Sequence, residues 1–320
     1  MSIFQIIKEL GIIPVLQIPS VSVAKPIAKA LIDGGIPLAE IMFRNECAAE
    51  SIKIIKEAYP KMCIGGGTIL NVEQVMQAKE AGADFIVSPG FNEDVVKKAI
   101  EEKIPILPGC VTPTEIEAGL KKGLKVFKFF PVKSVGGISA IKELVGPYKD
   151  VEFVVTGGLE MADIDEFASI DKIIGIGGGF VTPDEVIKNA EYTKITELCK
   201  EAIQISLNFH LCHIGINGKN SIDGEHIAKE FANIFGIPYK RGEKSDFAGS
   251  IIESTKINFP GTLGHIAIGT KSVERAIAYL KNKGIEIRKE FLNVGVDGTI
   301  IAAYLKNEIA GFAIHLLKDN

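Results

Sequence analysis

The segment CIGGGTILNVEQVMQAKEAGADFIVSPG, residues 63–90, contains one complete strand–helix–strand unit. A short apolar run, Cys63–Thr68, ends in glycines, and residues with helical spacing then follow over Val72–Ala81. Gly82 ends that stretch, since glycine tolerates the left-handed conformation common after a helix. The apolar run Phe85–Pro89 then begins the next unit. The segment therefore predicts parallel βα units.

The same alternation of short apolar runs and helix-like stretches continues on both sides of this segment, from residue 12 to about residue 190. Stretches with apolar residues at i, i+3, i+4 and i+7 separate short apolar runs, as amphipathic helices require. The predicted strands are Ile12–Ile18, Leu38–Phe43, Cys63–Thr68, Phe85–Pro89, Ile104–Pro108, Val126–Pro131, Val151–Thr156 and Lys172–Gly177. Eight such strands favour a closed (β/α)8 TIM barrel, with a doubly wound open sheet as the alternative.

The pattern changes after a helix-like stretch at Lys194–Leu207. The motif H-I-x-I occurs at His213 and again at His265, and each copy precedes a helix-like stretch that ends in Gly-Ile. This internal repeat predicts two βαβββ modules. We therefore expect a barrel domain at residues 1–207 and a smaller α+β domain at residues 208–320.

Composition narrows the class of protein. The chain has 320 residues, of which 47% are hydrophobic and 24% charged, values that exclude intrinsic disorder. The net charge is −4 and no run of basic residues exceeds two, so we expect no nucleic-acid partner. The early charge-free run is broken by Pro14 and Pro19, so we expect no membrane association. Five scattered cysteines without a C-x-x-C pair predict reduced thiols and a cytoplasmic protein.

Two charged residues interrupt predicted strands. Lys128 lies inside Val126–Pro131 and Glu40 inside Leu38–Phe43. Burial favours the neutral form of each, and a neutral lysine amine can attack a carbonyl to form a Schiff base. A nearby carboxyl group can then shuttle protons. The alternatives are a structural Lys128–Glu40 ion pair, or an alternation that places one of the two outside the barrel.

Candidate anion-binding groups lie at the predicted carboxyl ends of strands, where barrel active sites are found. Arg44 follows Glu40 by four residues, and its guanidinium suits a carboxylate or phosphate; a surface arginine paired with Glu46 is the alternative. Glycine clusters at 156–158 and 177–179 end the last two strands. Backbone N–H groups of such loops commonly bind phosphate.

Six motifs together resemble the 2-keto-3-deoxy-6-phosphogluconate (KDPG) and 4-hydroxy-2-oxoglutarate (KHG) aldolase family over about residues 3–205. They are AEIMFRNE (39–46), GGGTILN (65–71), VSPG (87–90), FKFFP (127–131), TGG (156–158) and IGGG (176–179). The resemblance implies a class I aldolase in which Lys128 forms the Schiff base and Glu40 moves protons through water. The products would be pyruvate with glyceraldehyde 3-phosphate, or pyruvate with glyoxylate.

The resemblance also implies the binding residues and the assembly. Arg44, Thr68 and Pro89 would contact the pyruvate-derived part of a 2-oxo sugar acid, and Phe130 would pack against it. Gly157, Gly158, Gly178 and Gly179 would hold the phosphate. No metal or other cofactor is expected in the barrel, and a homotrimer is expected.

Three positions depart from the family pattern. Asn45 replaces a usual threonine, Gly179 replaces a frequent serine, and Gln17 replaces a basic residue of some members. The unphosphorylated KHG therefore stays open as a substrate beside KDPG. Another barrel lyase or isomerase acting on a phosphorylated sugar acid, and a sugar-acid sensor with an inactive barrel, are the alternative functions.

The order of elements in residues 208–320 resembles the vicinal-oxygen-chelate, or glyoxalase-like, superfamily. In its metal-binding members the ligands come from the first and fourth strands of each module, which implies a divalent metal at His213, Glu253, His265 and His315. Structural strand histidines are the alternative, and His210 and His226 match no role. The domain could be a second enzyme for a small oxo-acid or aldehyde, a regulatory ligand-binding module, or a packing and oligomer-contact module.

Overall fold

The structure is a computed structural model that describes residues 2–257, 259–296 and 298–319. The chain divides into two compact units, residues 1–206 and residues 207–320. Among the described residues, no helix combines the length and the apolar character that a membrane span requires.

The first unit is a parallel sheet surrounded by helices. Its strands are β1 (Ile12–Leu16), β2 (Leu38–Met42), β3 (Cys63–Gly67), β4 (Phe85–Val87), β5 (Ile106–Leu107), β6 (Gly109–Cys110), β7 (Val126–Phe129), β8 (Glu152–Thr156) and β9 (Ile173–Gly178). Its α-helices are α1 (Ile3–Leu10), α2 (Ala24–Asp33), α3 (Cys47–Ala58), α4 (Val72–Glu80), α5 (Glu93–Glu101), α6 (Pro113–Lys121), α7 (Gly137–Val145), α8 (Ile164–Ala168), α9 (Asp184–Lys188) and α10 (Tyr192–Leu207). Short 3-10 helices occupy Val21–Val23, Val132–Val135 and Met161–Asp163.

The sheet closes into a barrel. Its order is β5-β4-β3-β2-β1-β9-β8-β7-β6, and only Pro108 separates the two edge strands β5 and β6 along the chain. They are two halves of one barrel strand, divided because proline has no N–H to donate to the ladder. The carbonyl of Pro108 still accepts from the Lys128 N–H at 3.0 Å. The predicted (β/α)8 barrel is therefore confirmed, and the open-sheet alternative is wrong.

The sequence placed most elements within two residues of their observed bounds, with two differences. The fifth strand was predicted to end at Pro108, but it resumes at Gly109–Cys110. The helix α1 was not predicted, although Ser2 caps it and Ile7 is fully buried in the core. The helix was missed because Lys8 and Glu9 interrupt the apolar stretch near the start of the sequence.

The barrel strands are buried on both faces, as parallel strands covered by helices require. On β7, Phe127 and Phe129 are fully buried, and Gly119 of α6 lies directly against the Phe127 ring. Burying each such ring stabilises the fold by about 1.5–3 kcal/mol. Because side chains alternate along a strand, Lys128 points to the opposite face, into the barrel.

The second unit is a mixed sheet with the predicted module order. Its strands are β10 (His210–Asn217), β11 (Tyr239–Arg241), β12 (Ser245–Ala248), β13 (Ile252–Thr255), β14 (Gly264–Thr270), β15 (Ile287–Val294), β16 (Ile300–Leu305) and β17 (Phe312–Lys318), with helices α11 (Ser221–Phe235) and α12 (Val273–Asn282). The order is β11-β12-β13-β10-β14-β17-β16-β15. The first strand of each module pairs parallel with its fourth, and β10 pairs antiparallel with β14.

Candidate active site and candidate metal centre

A cavity of about 410 Å³ lies at the carboxyl ends of the barrel strands. It is lined by all ten residues that the sequence assigned to a site: Lys128, Glu40, Arg44, Thr68, Pro89, Phe130, Gly157, Gly158, Gly178 and Gly179. The predicted residues are therefore brought together, whereas their individual roles stay predictions.

Lys128 and Glu40 face each other across the barrel interior. The Nζ atom of Lys128 donates to Oε1 of Glu40 at 3.2 Å, and the two side chains are 8% and 2% exposed. The buried ion pair that the sequence left as an alternative is thus present. It also lines the cavity, so a ligand there can reach both groups.

Gly67, the last glycine of β3, makes room for Glu40. Gly67 pairs with Met42 in the ladder, and a Cβ at Gly67 would lie 2.4 Å from Oε1 of Glu40. Any side chain at this position would displace the carboxylate. The sequence predicted residues 63–68 as a strand that ends in glycines and gave no reason for glycine at position 67, because contacts between strands cannot be seen in the spacing.

Polar groups surround the mouth of the cavity on the β2 and β3 side. The Nε atom of Arg44 donates to Oγ1 of Thr68 at 3.4 Å, and Thr68 has a left-handed φ of 57°. The Phe130 ring centroid lies 5.3 Å from the Lys128 Nζ atom. The side-chain amide of Asn45, next in sequence, donates to the Ile18 carbonyl at 2.8 Å. This hydrogen bond joins the loop after β2 to the loop after β1.

The two glycine loops lie on the opposite side of the cavity. Gly157 and Gly158 have φ values of 108° and 73°, conformations that residues with a Cβ rarely adopt. A Cβ at Gly157 would also lie 2.7 Å from the Pro131 Cα atom. These positions expose backbone to the cavity at little steric cost.

Sequence reasoning missed two hydroxyl groups in this wall. Thr156 and Thr182 line the cavity and are 4% and 2% exposed. Within the described residues, neither Oγ1 atom has a hydrogen-bond partner. Buried hydroxyls are normally paired, so both can accept a ligand as their partner. Thr182 follows Gly179 in a turn closed by its N–H donating to the Gly179 carbonyl at 3.0 Å.

The second unit brings together the four predicted metal ligands. Nε2 of His213 lies 3.2 Å from Nε2 of His265 and 3.0 Å from Oε2 of Glu253, and Nε2 of His265 lies 3.3 Å from the same oxygen. A ligand nitrogen of His315 lies within 4.8 Å of those of His213 and His265. Both ring nitrogens of His315 are buried and have no partner in the described chain. These donors suit Zn, Ni, Mn or Fe.

The electrostatics of Glu253 and His315 favour the forms that bind metals. Burial opposes ionisation of Glu253, but hydrogen bonds with His213, His265 and Ser245 hold its pKa well below the usual range. Burial, with the neighbouring imidazoles, lowers the pKa of His315 to about 3. Carboxylate and neutral imidazole are the forms that coordinate a divalent cation. Gly215 leaves the space for the His265 ring, since a Cβ there would lie 1.9 Å from it.

Comparisons with known proteins agree with the barrel site. The KHG/KDPG aldolase of Escherichia coli K12 is 37% identical over 193 residues, 60% of this chain and 91% of that protein. The structure of KDPG aldolase from Legionella pneumophila, with pyruvate captured as a covalent carbinolamine intermediate, superposes with a TM-score of 0.62 at 32% identity. It covers 63% of this chain and 98% of that one.

A second solved structure holds a phosphorylated ligand. The KDPG aldolase of Zymomonas mobilis ZM4 with 3-phosphoglycerate has a TM-score of 0.58 at 38% identity, over 62% of this chain and 94% of that one. The family model described as KDPG and KHG aldolase matches residues 3–198. Given the closed barrel, the buried lysine–glutamate pair and these similarities, the chain belongs to the KDPG and KHG aldolase family.

Proposed function

We propose that the barrel is a Schiff-base aldolase that cleaves KDPG to pyruvate and glyceraldehyde 3-phosphate, KHG to pyruvate and glyoxylate, or both. The observation that carries this proposal is the Lys128–Glu40 pair, buried yet open to the cavity at the carboxyl ends of the strands. Titration of cleavage activity with both substrates, with pyruvate release as the readout, tests it. A folded protein that cleaves neither substrate contradicts it and favours a different barrel lyase or isomerase, or a sensor.

The reaction follows from the chemistry of the two side chains. The Lys128 amine adds to the 2-oxo carbon, and the carbinolamine loses water to give an iminium. The C3–C4 bond then breaks, its electron pair moves toward the iminium nitrogen, and the C4 hydroxyl loses its proton as the aldehyde forms. Glu40 accepts that proton through water and returns one to C3 of the enamine. Hydrolysis of the resulting imine releases pyruvate and restores the amine.

The other residues that line the cavity are assigned to the two ends of the substrate, its carboxylate and its phosphate. We assign the substrate carboxylate to Arg44 and Thr68, because a guanidinium and a hydroxyl meet on that side. Phe130 and Pro89 supply apolar contact. The phosphate is assigned to the Gly157–Gly158 and Gly178–Gly179 loops, whose backbone can approach an anion closely.

The Thr182 hydroxyl, which has no hydrogen-bond partner in the part of the chain that the structure describes, gives a test of phosphate binding. In Thr182→Val we expect kcat/KM for KDPG to fall about 10- to 100-fold, because a hydrogen bond to a charged group contributes about 1.5–3 kcal/mol. The side chain keeps its shape, so KHG cleavage serves as the internal control and should stay within about 2-fold. Steady-state kinetics with both substrates measure the split. An equal loss for both substrates would contradict the assignment of Thr182 to the phosphate.

We propose that the chain assembles as a homotrimer, as the family resemblance implies. We also propose that it acts in the cytoplasm, which is supported by the five cysteines, all free thiols.

For the second unit we propose a divalent metal centre held by His213, Glu253, His265 and His315. Support comes from the convergence of the donor atoms and from the His315 nitrogens, which have no hydrogen-bond partner among the described residues. A bound metal would supply Lewis acidity toward the oxygen of a small oxo-acid or aldehyde. Such a substrate would make the unit a glyoxalase-like second enzyme. A regulatory or purely structural module is the competing outcome.

Metal analysis of one matched pair of variants tests this centre. His265→Gln should remove one equivalent of zinc per chain from the purified full-length protein, because a buried ligand is lost. His226→Gln is the control, since that side chain is 76% exposed on α11. Zinc at 100 times its Kd should stabilise the wild-type unit by about 2.7 kcal/mol, seen as a higher Tm. Equal zinc content and Tm shifts in the two variants would rule out the centre.

A further inference from the structure

A second cluster of metal-ligating side chains, none of them among the four residues above, lies at the N-terminal end of β10. His210, Cys212 and Asp319 each offer one ligand atom, and these atoms all lie within 4.8 Å of one another. Nε2 of His210 is 3.7 Å from the Cys212 Sγ atom and 3.4 Å from Oδ1 of Asp319. His210 matched no role in the sequence, and none of the three takes part in the proposed aldolase chemistry.

Two features of the backbone assemble this cluster. The register between β10 and β14 shifts between Leu211 and His213, so Cys212 is the extra residue of a β-bulge. Bulges re-aim side chains and are over-represented beside functional sites. Opposite His210 in the ladder lies Gly269, where a Cβ would be 2.4 Å from the His210 Nε2 atom and 2.6 Å from the Cys212 Sγ atom. The space in which the ligand atoms converge therefore exists because residue 269 is glycine.

The histidine is oriented as a metal ligand. Its Nδ1 atom lies 2.9 Å from the Asn208 carbonyl, and a carbonyl can only accept, so Nδ1 carries the proton. A metal would then bind through Nε2, which faces the thiol and the carboxylate. A ligating histidine usually donates its other N–H to a carbonyl or carboxylate in this way, which fixes the ring.

The two separations that involve His210 match those of a tetrahedral zinc site, and the Cys212 and Asp319 ligand atoms lie within 4.8 Å of each other. With Zn–N and Zn–O of about 2.1 Å and Zn–S of about 2.3 Å, tetrahedral angles place N and O about 3.4 Å apart and N and S about 3.6 Å apart. The observed values are 3.4 Å and 3.7 Å. We propose that His210, Cys212 and Asp319 form a second, thiolate-containing site for zinc or a similar divalent cation.

The charge and exposure of the cluster define the kind of site. Binding replaces the thiol proton of Cys212 by the cation and releases that proton, so thiolate and carboxylate neutralise a 2+ ion. Three protein ligands leave the fourth tetrahedral position for water or a ligand. The side chains of His210 and Asp319 are 46% and 23% exposed, so this position is open to solvent.

Cobalt distinguishes this site from the His213 centre, because only a thiolate ligand gives sulfur-to-cobalt charge-transfer absorption. We would strip the full-length protein of metal, keep it reduced, and titrate it with Co²⁺. Wild type and His265→Gln should both reach this absorption at one equivalent of thiolate-bound cobalt per chain. Cys212→Ser and Gly269→Ala should lack it, and Cys47→Ser, which removes another partly exposed thiol, should keep it.

Asp319→Asn keeps the shape of the side chain and removes its negative charge. Because the carboxylate is a proposed ligand, we expect cobalt affinity to fall at least about 10-fold in this variant. Circular dichroism and Tm verify that each variant is folded. Absence of the absorption in folded wild type would overturn the proposal and leave a protonated His210 paired with Asp319. Its persistence in Cys212→Ser would overturn it as well. If the proposed His213 centre binds no metal, His265→Gln will have the same zinc content as wild type. That result is independent of the thiolate-to-cobalt absorption, which reports only on the Cys212 site.

Discussion

Lys128→Met should lower kcat for KDPG or KHG cleavage about 10⁴-fold or more, because loss of a covalent nucleophile removes the intermediate itself. Methionine keeps the length and apolar stem of lysine but has no amine to add to the 2-oxo group. The measurement is pyruvate release by the purified full-length variant at saturating substrate. Lys142→Met, on the exposed face of α7, is the control and should retain wild-type activity.

Folding must be separated from chemistry in this variant. Removing the cation leaves Glu40 buried without its partner, and such a loss can cost about 3–5 kcal/mol of stability. Lys128→Arg keeps a positive charge beside Glu40 but cannot form the imine. Both variants should therefore be inactive, with Lys128→Arg the more stable of the two to urea. More than about 1% of wild-type kcat in either folded variant would contradict a nucleophilic Lys128.

The second large effect is expected at Glu40. Glu40→Gln should lower kcat about 10²–10⁴-fold, the range for loss of a positioned acid–base group. Glutamine is nearly the same shape and can still accept from Lys128, but it cannot carry the proton taken from the C4 hydroxyl. Because Lys128 remains, the variant should still form a borohydride-reducible adduct with pyruvate, only more slowly.

Glu46→Gln is the matched control for Glu40, since Glu46 is an exposed carboxylate that follows the same strand. It should leave kcat within about 2-fold of wild type. Trapping and turnover are compared in the same preparations. Wild-type turnover in Glu40→Gln would exclude Glu40 from proton transfer and assign it only to the ion pair.

The barrel could be predicted because its determinants are local. Apolar runs, helical spacing and terminal glycines repeat along residues 12–190, and the structure confirms the strands that they predicted. Lys128 and Glu40 were visible because a charge inside an apolar strand is costly unless it is paired. The break at Pro108 was not predicted, since a proline at a strand end and a proline within a strand leave the same local pattern.

The features that the sequence did not reveal depend on contacts between distant residues. Gly67 was predicted only as part of a strand that ends in glycines, but the requirement for glycine there comes from the Glu40 side chain on the neighbouring strand. Thr182 is notable only because its buried hydroxyl has no partner in the described part of the chain. His210 meets Cys212 and Asp319 through a bulge and a cross-strand glycine, and neither has a sequence signature. By contrast, the repeated H-I-x-I motif correctly placed His213 and His265 on the first strand of each module, β10 and β14, although the pairing of these two strands was not predicted.

Borohydride trapping tests the central claim most directly. The full-length protein is incubated with pyruvate, reduced, digested and analysed by peptide mass spectrometry. A single reduced pyruvyl adduct on Lys128, absent from Lys128→Arg, is the predicted result. No adduct in the folded protein, or an adduct only on another lysine, would contradict the Schiff-base mechanism proposed for this barrel.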